Sequence, residues 1–151
     1  MSDERRTGFR ISSARADLDL NVIHRWLSTD AYWAIGRDLA TVQRAFANAR
    51  AWGVLQGDDL VGVARCITDG ATFAWICDVY IDPDFRGRGL GTWLVDTIVR
   101  TLNDESVPRY LLATRDAHDV YATLGFSPLV APDRFMEIDN RPQRPQPGQP
   151  A

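Results

Sequence analysis

One stretch constrains the fold more than any other. In "DVYIDPDFRGRGLGTWLVDTIV", Asp78 to Val99, Gly87, Gly89 and Gly91 stand at alternate positions beside Arg86 and Arg88. The run before it, "TFAWICDVYI", is aromatic and β-branched and reads as a strand. After it, Leu90, Leu94, Ile98 and Leu102 recur every four residues, with Trp93 and Val95 broadening the face, which reads as a helix packed on a sheet. A glycine-rich seam between strand and helix makes an anion site, because the first helical N–H groups lack intrahelical partners and sit at the positive end of the helix dipole. The glycines remove side chains that would hold a phosphate off the backbone, and they tolerate positive φ. Arg86 and Arg88 add planar cations suited to phosphate oxygens.

Other phosphate-binding patterns do not fit. A nucleotide-binding P-loop ends in Gly-Lys-Ser/Thr, whereas Gly91-Thr92-Trp93 has no lysine. The dinucleotide fingerprint G-x-G-x-x-G places its third glycine one position later than Gly91. An RGG-type RNA segment is repetitive and disordered, and this one has ordered flanks. The formal charge of −3 also argues against a nucleic-acid partner.

The remaining elements follow closely. "GFRISS" (Gly8–Ser13) reads as a strand, and Leu20, Ile23, His24 and Leu27 as a helix with Asp19 at its N-cap. "STDAYWAIGRDL" is an aromatic-rich connection to a second helix, Thr41–Ala49. Two apolar runs separated by Gln56-Gly57-Asp58-Asp59 form a β-hairpin. "RYLLAT" reads as a buried strand, Ala117–Leu124 as a short helix that Gly125 ends, and "FSPL" and "FMEI" as final strands. The expected fold is therefore α/β, one domain over 7–140, with a mixed, mostly antiparallel sheet flanked by helices. A flexible N-terminus (1–6) and a disordered Pro/Gln-rich tail (141–151) are expected outside it. Cys66 and Cys77 lie inside strand-like runs without metal-binding spacing, so buried free thiols and no metal are expected. With no apolar run of membrane-spanning length and no signal-peptide core, a cytoplasmic protein without a membrane partner is expected.

The loop motif R-x-x-G-x-G, Arg86-Gly87-Arg88-Gly89-Leu90-Gly91, resembles that of the GNAT superfamily of acetyl-CoA-dependent N-acetyltransferases. The preceding "DVYIDPDF" and the downstream "VYATLGF" (Val120–Phe126) extend the resemblance over about Phe9 to Ile138. "AYWAIGR", "ATRDAHDVY" and "PDRFMEI" look like a small bacterial subgroup of unknown substrate. The resemblance implies an enzyme with acetyl-CoA as co-substrate and a primary amine, of a small molecule, as acceptor. It implies that Arg86 to Gly91 and Thr92 hold the pyrophosphate. Val79, Tyr80 and Ile81 would pair with the pantetheine arm, and an N–H near Val79 would polarise the thioester carbonyl. Tyr121, in Y-x-x-x-G-F, would protonate the departing thiolate. Thr114 stands where many relatives carry an asparagine that contacts the pantetheine arm.

The general base is unassigned by this resemblance, since Phe73 occupies the position of the glutamate used by histone-acetylating relatives. His118, three residues before Tyr121, has a suitable intrinsic pKa. Asp78 and Asp116 are weaker candidates, Asp116 being equally suited to capping a helix, and a water relay is another route. His24 reads as structural. Tyr32, Trp33 and Arg37, with Phe73 and Trp75, are the candidate acceptor residues; an aromatic pair with an arginine could hold an amine beside a carboxylate. In the competing reading Tyr32 and Trp33 pack the helices against the sheet. Two alternative functions stay open: acetylation of a protein lysine or N-terminus, and a non-catalytic acyl-CoA sensor. Homodimers are common in the family, though no residue here requires one.

Overall fold

The apolar runs of the sequence become a five-stranded sheet in the order β1-β2-β3-β4-β5. The computed structural model describes residues 6–142, so the expected flexible ends, 1–6 and 141–151, lie outside the described residues except for Arg6, Arg141 and Pro142. The strands are β1 (Phe9–Ser12), β2 (Arg50–Gln56), β3 (Asp59–Thr68), β4 (Ala74–Ile81) and β5 (Tyr110–Leu111). All pairings are antiparallel except β4 with β5, giving the expected mixed sheet. Gly57, at φ +60°, opens the two-residue turn of the β2–β3 hairpin, where a residue lacking Cβ is favoured.

Helices α1 (Leu20–Thr29) and α2 (Leu39–Ala47) cover one face of the sheet, and α3 (Leu90–Asp104) packs on the other. Asp19 caps α1 as expected, accepting the N–H groups of Asn21 at 2.9 Å and Val22 at 3.2 Å. α2 begins two residues before the expected Thr41, because Asp38 accepts the Thr41 N–H at 2.6 Å and takes the cap. The α1/α2 face buries Ile23, Trp26, Leu27, Val42, Phe46, Val63 and Tyr80. The other face buries Leu90, Leu94, Ile98 and Leu102 of α3, the four-residue repeat legible in the sequence.

β4 carries the departure that shapes the site. Val63 pairs with Tyr80 and Arg65 with Cys77, so Asp78 and Val79 together oppose the single residue Ala64. This is a β-bulge, and Asp78 sits in it at φ +49°. Residues paired across strands share a face. The pairs Ile67–Trp75, Arg65–Cys77 and Val63–Tyr80 therefore point to the α1/α2 side, where Tyr80 stacks on Trp26 at 5.4 Å. Strict alternation would put Trp75 and Tyr80 on opposite faces. The bulge reverses the phase, and Ile81 turns toward Gly91 at the start of α3.

Two compact units divide between Ala113 and Thr114. The first contains the sheet and α1 to α3. The second contains α4 (His118–Ala122), within the expected 117–124, closed by Gly125 at φ +94°. "FSPL" and "FMEI" are not strands: among the described residues none follows β5. Pro128 has no N–H to donate to a ladder, and Val130, Met136 and Ile138 are exposed, so no buried face pins a register. "RYLLAT" likewise shortens to the two residues of β5.

Gly62 is what lets Ile81 lie where it does. A Cβ there would strike the Ile81 side chain and come within 3.2 Å of the Tyr80 carbonyl oxygen. Gly62→Ala is expected to lower unfolding free energy by about 1–3 kcal/mol, measured by urea denaturation.

Candidate active site

β5 accompanies β4 only at Ala74 and Trp75. From Ile76 to Ile81 that edge of β4 has no strand partner among the described residues, so its backbone groups are free to pair with an extended, amide-bearing ligand. The edge runs directly into a turn, Pro83–Phe85, and then into the glycine loop. Asp82 and Asp84 belong to that turn, the Asp82 carboxylate accepting the Asp84 N–H at 3.0 Å.

Gly87 and Gly89 both take φ +75°, and Gly89 is the N-cap of α3 with no side chain to satisfy the first amides. Those amides and the 15-residue helix dipole behind them form a seat suited to an anion. Leu90 is buried, so it and Gly91 and Thr92 face the seat through backbone N–H groups.

The two arginines of the loop differ. Arg86 donates from Nε to the Ile81 carbonyl at 2.8 Å and from Nη2 to Asp30 at 3.1 Å, and its guanidinium lies 5.2 Å from the Tyr80 ring centre. It braces the loop against α1 and β4. Arg88 lies over Phe9 and Phe85, at 5.9 and 5.7 Å, with no carboxylate partner among the described residues, and is the loop cation left for a phosphate. Arg6, assigned to a flexible end on sequence, lies over Trp93 in the first turn of α3 at 5.2 Å and adds a cation there.

Tyr80 donates to Asp30 at 2.6 Å. Burial, reinforced by this carboxylate, pushes the Tyr80 phenol up to about 12, while its hydroxyl and then Arg86 hold Asp30 below the usual carboxylate range. The Tyr80 side chain is therefore part of the core, and only its backbone lies along the open edge.

On the α1/α2 face, one buried carboxylate gathers the residues assigned to the acceptor. Asp78, its side chain 1% exposed, accepts Trp33 Nε1 at 2.9 Å, Arg37 Nη1 at 3.1 and 2.9 Å, and Arg65 Nε at 2.8 Å. Asp78 is thus not a general base: it is sealed from the amine, and three donors occupy its oxygens. Tyr32 meets Trp33 edge to face at 5.0 Å and is exposed. Trp75 lies on this face, paired with Ile67, and Phe73 precedes β4 with an exposed ring. Arg65 and Asp30 escaped the sequence reading. A signal existed for Arg65, since "VGVARCIT" and "WICDVY" each carry one charge within an apolar strand run, and the charges are opposite.

In the second unit, His118 opens α4 and is exposed, while Tyr121 is half-buried three residues on, its ring 6.0 Å from Phe126. The Ala117 N–H is capped by Thr114 Oγ1 at 3.0 Å and not by Asp116, which faces Arg115 at 3.8 Å. No cluster of metal-ligating side chains occurs among the described residues.

Two outcomes follow from these networks. Asp78→Asn leaves two guanidiniums without a counter-charge and is expected to cost about 3–5 kcal/mol of stability by chemical denaturation. Since the Tyr80 value lies above the ordinary 10, its stabilising contribution is complete below pH 10 and lost as pH rises toward about 12. Ultraviolet titration is expected to show a late phenol near 12, moved downward by Asp30→Asn.

The profile of the "Acetyltransferase (GNAT) family" matches residues 20–126. A solved GNAT-family protein of Xanthomonas campestris pv. campestris is 39% identical, with a TM-score of 0.83 over 87% of this chain and 92% of that one. "GCN5-related N-acetyltransferase 2, chloroplastic" of Arabidopsis thaliana is 40% identical over 72 residues, 47% of this chain and 28% of its own length. "Histone acetyltransferase TAP1" of Glycine max is 38% identical over 68 residues, 44% of this chain and 29% of its own. The chain thus spans under a third of the length of these two curated relatives. With the family profile running from α1 to the end of the Tyr121–Phe126 motif, the chain belongs to the acetyltransferase (GNAT) family.

Proposed function

We propose that the chain transfers an acetyl group from acetyl-CoA to a primary amine of a small molecule. The observation that carries this is the open edge of β4 running into an uncapped helix start with two glycines at positive φ. Bound acetyl-CoA supplies a thioester carbon that a neutral amine attacks, with loss of the thiolate. The N–H groups of the glycine loop and Arg88 hold the anionic end, and the edge from Val79 to Ile81 aligns the arm. The bulge frees backbone at Val79, whose N–H donates to the carbonyl oxygen as negative charge develops there. Tyr121, a phenol protonated at neutral pH, donates a proton to the leaving sulfur. The amine loses its own proton to water or to His118.

A second reading, acetylation of a protein, is favoured by one observation: the similarity over 68 residues to a relative named as a histone acetyltransferase. Thiol release from acetyl-CoA, measured across amino acids, polyamines, aminoglycosides and lysine peptides, separates the two. Turnover confined to peptides would replace the first reading with the second. In the proposed mechanism Tyr121→Phe lowers kcat by about 100-fold while the KM for acetyl-CoA stays within twofold. Unchanged kcat removes Tyr121 from the chemistry.

A further inference from the structure

We infer that the acceptor carries a carboxylate beside its amine, and that Arg37 is the residue that reads it. This rests on the transferase reading above. Two guanidiniums, Arg37 and Arg65, converge on the single carboxylate of Asp78, leaving one positive charge in excess. Their side chains are only 22% and 12% exposed, so water does little to screen that excess. An anionic group brought to this face completes the set.

The geometry assigns the task to Arg37. Asp78 engages it through Nη1 alone. Nε and Nη2 carry no hydrogen bond among the described residues, leaving the edge of the guanidinium that fits a carboxylate with two parallel bonds. The Asp78 contact also fixes the orientation of the plane in advance, which lowers the cost of ordering it around a ligand. Arg65, held by Nε and lying over the Phe46 ring at 5.8 Å, is the more enclosed of the two and supplies charge from behind.

Location ties this charge to the acceptor end and not to the pyrophosphate. Asp78 is adjacent in the bulge to Val79, and the amide assigned to the thioester oxygen is the N–H of the peptide that joins them. The pyrophosphate seat lies past the far end of β4, beyond the turn at Pro83–Phe85. Trp33, its indole pinned to Asp78, and the exposed Tyr32 standing edge-on to it offer the wall for the rest of the acceptor.

The test compares matched acceptors with intact protein: the L-amino acids, their amides, and the amines that lack the carboxyl group, each assayed for thiol release from acetyl-CoA. The expected result is turnover of at least one free amino acid with kcat/KM about 100-fold or more above its amide. Arg37→Gln should raise KM for the acid by about 100-fold, change kcat little, and erase the preference for acid over amide. Arg37→Lys, which keeps a charge opposite Asp78 and guards against loss of folding, should retain part of that preference. Equal turnover of acid and amide, or a parallel loss on both in Arg37→Gln, would overturn this inference alone and leave Arg37 a structural brace. No thiol release with any amine or peptide, while acetyl-CoA still binds by calorimetry, would overturn the transferase reading and this one together.

Discussion

The site is organised by a carboxylate that has been taken out of water. Asp78 lies inside the sheet layer, on a strand that is otherwise apolar, and a lone ionised group there would be untenable. It persists because Trp33, Arg37 and Arg65 donate to it from the α1–α2 connection and from β3. The same contacts hold its backbone at φ +49°, a conformation aspartate tolerates better than most residues but does not prefer. The bulge, the α1–α2 connection and the neighbouring strand are therefore a single arrangement. Removing the charge loosens all of them.

From the bulge come the two properties of β4 that matter for chemistry. The extra residue leaves backbone groups around Val79 outside the ladder, and it reverses which side chains face α1 and α2. Because of that reversal Tyr80 reaches Asp30 and Arg86 while Ile81 reaches Gly91. One residue points into the brace of the loop and the next into the start of α3. Without the phase change the strand would present the opposite set, and the loop would lose both anchors.

Local features were legible in the sequence and long-range ones were not. Asp19 caps α1, Gly57 makes a turn and the glycines at 87 and 89 take positive φ, each determined within a few residues of itself. The helix start left uncapped at Gly89 is of this kind. Asp78 is different, because its partners lie 45, 41 and 13 residues away. Nothing in "ICDVY" distinguishes a bulge from a regular strand until Arg37 and Arg65 are in place. The same reasoning explains the two false strands: "FSPL" and "FMEI" have strand-like composition, but pairing depends on an edge to meet; Pro128 removes a ladder donor from the first, and the exposed Met136 and Ile138 give the second no buried face to fix a register. Arg37 was expected at the acceptor end, and Asp78, one of the two weaker candidates for the base, proves to be its anchor.

The loop motif also conveys more positive charge than the structure delivers to a ligand. Arg86 is committed to Ile81, Asp30 and the Tyr80 ring, so of the two loop arginines only Arg88 remains for phosphate. Under the proposed reading, recognition at the donor end falls mainly to backbone N–H groups and the dipole of α3, whose directions are set by the fold. At Asp78 the balance is inverted: two cations share one buried anion, and the surplus is held by side chains. β4 connects the two ends, offering backbone along its edge and charge on its α1/α2 face. A single bulge places the buried charge of Asp78 and the unladdered backbone of Val79 one residue apart, so that one short strand carries both.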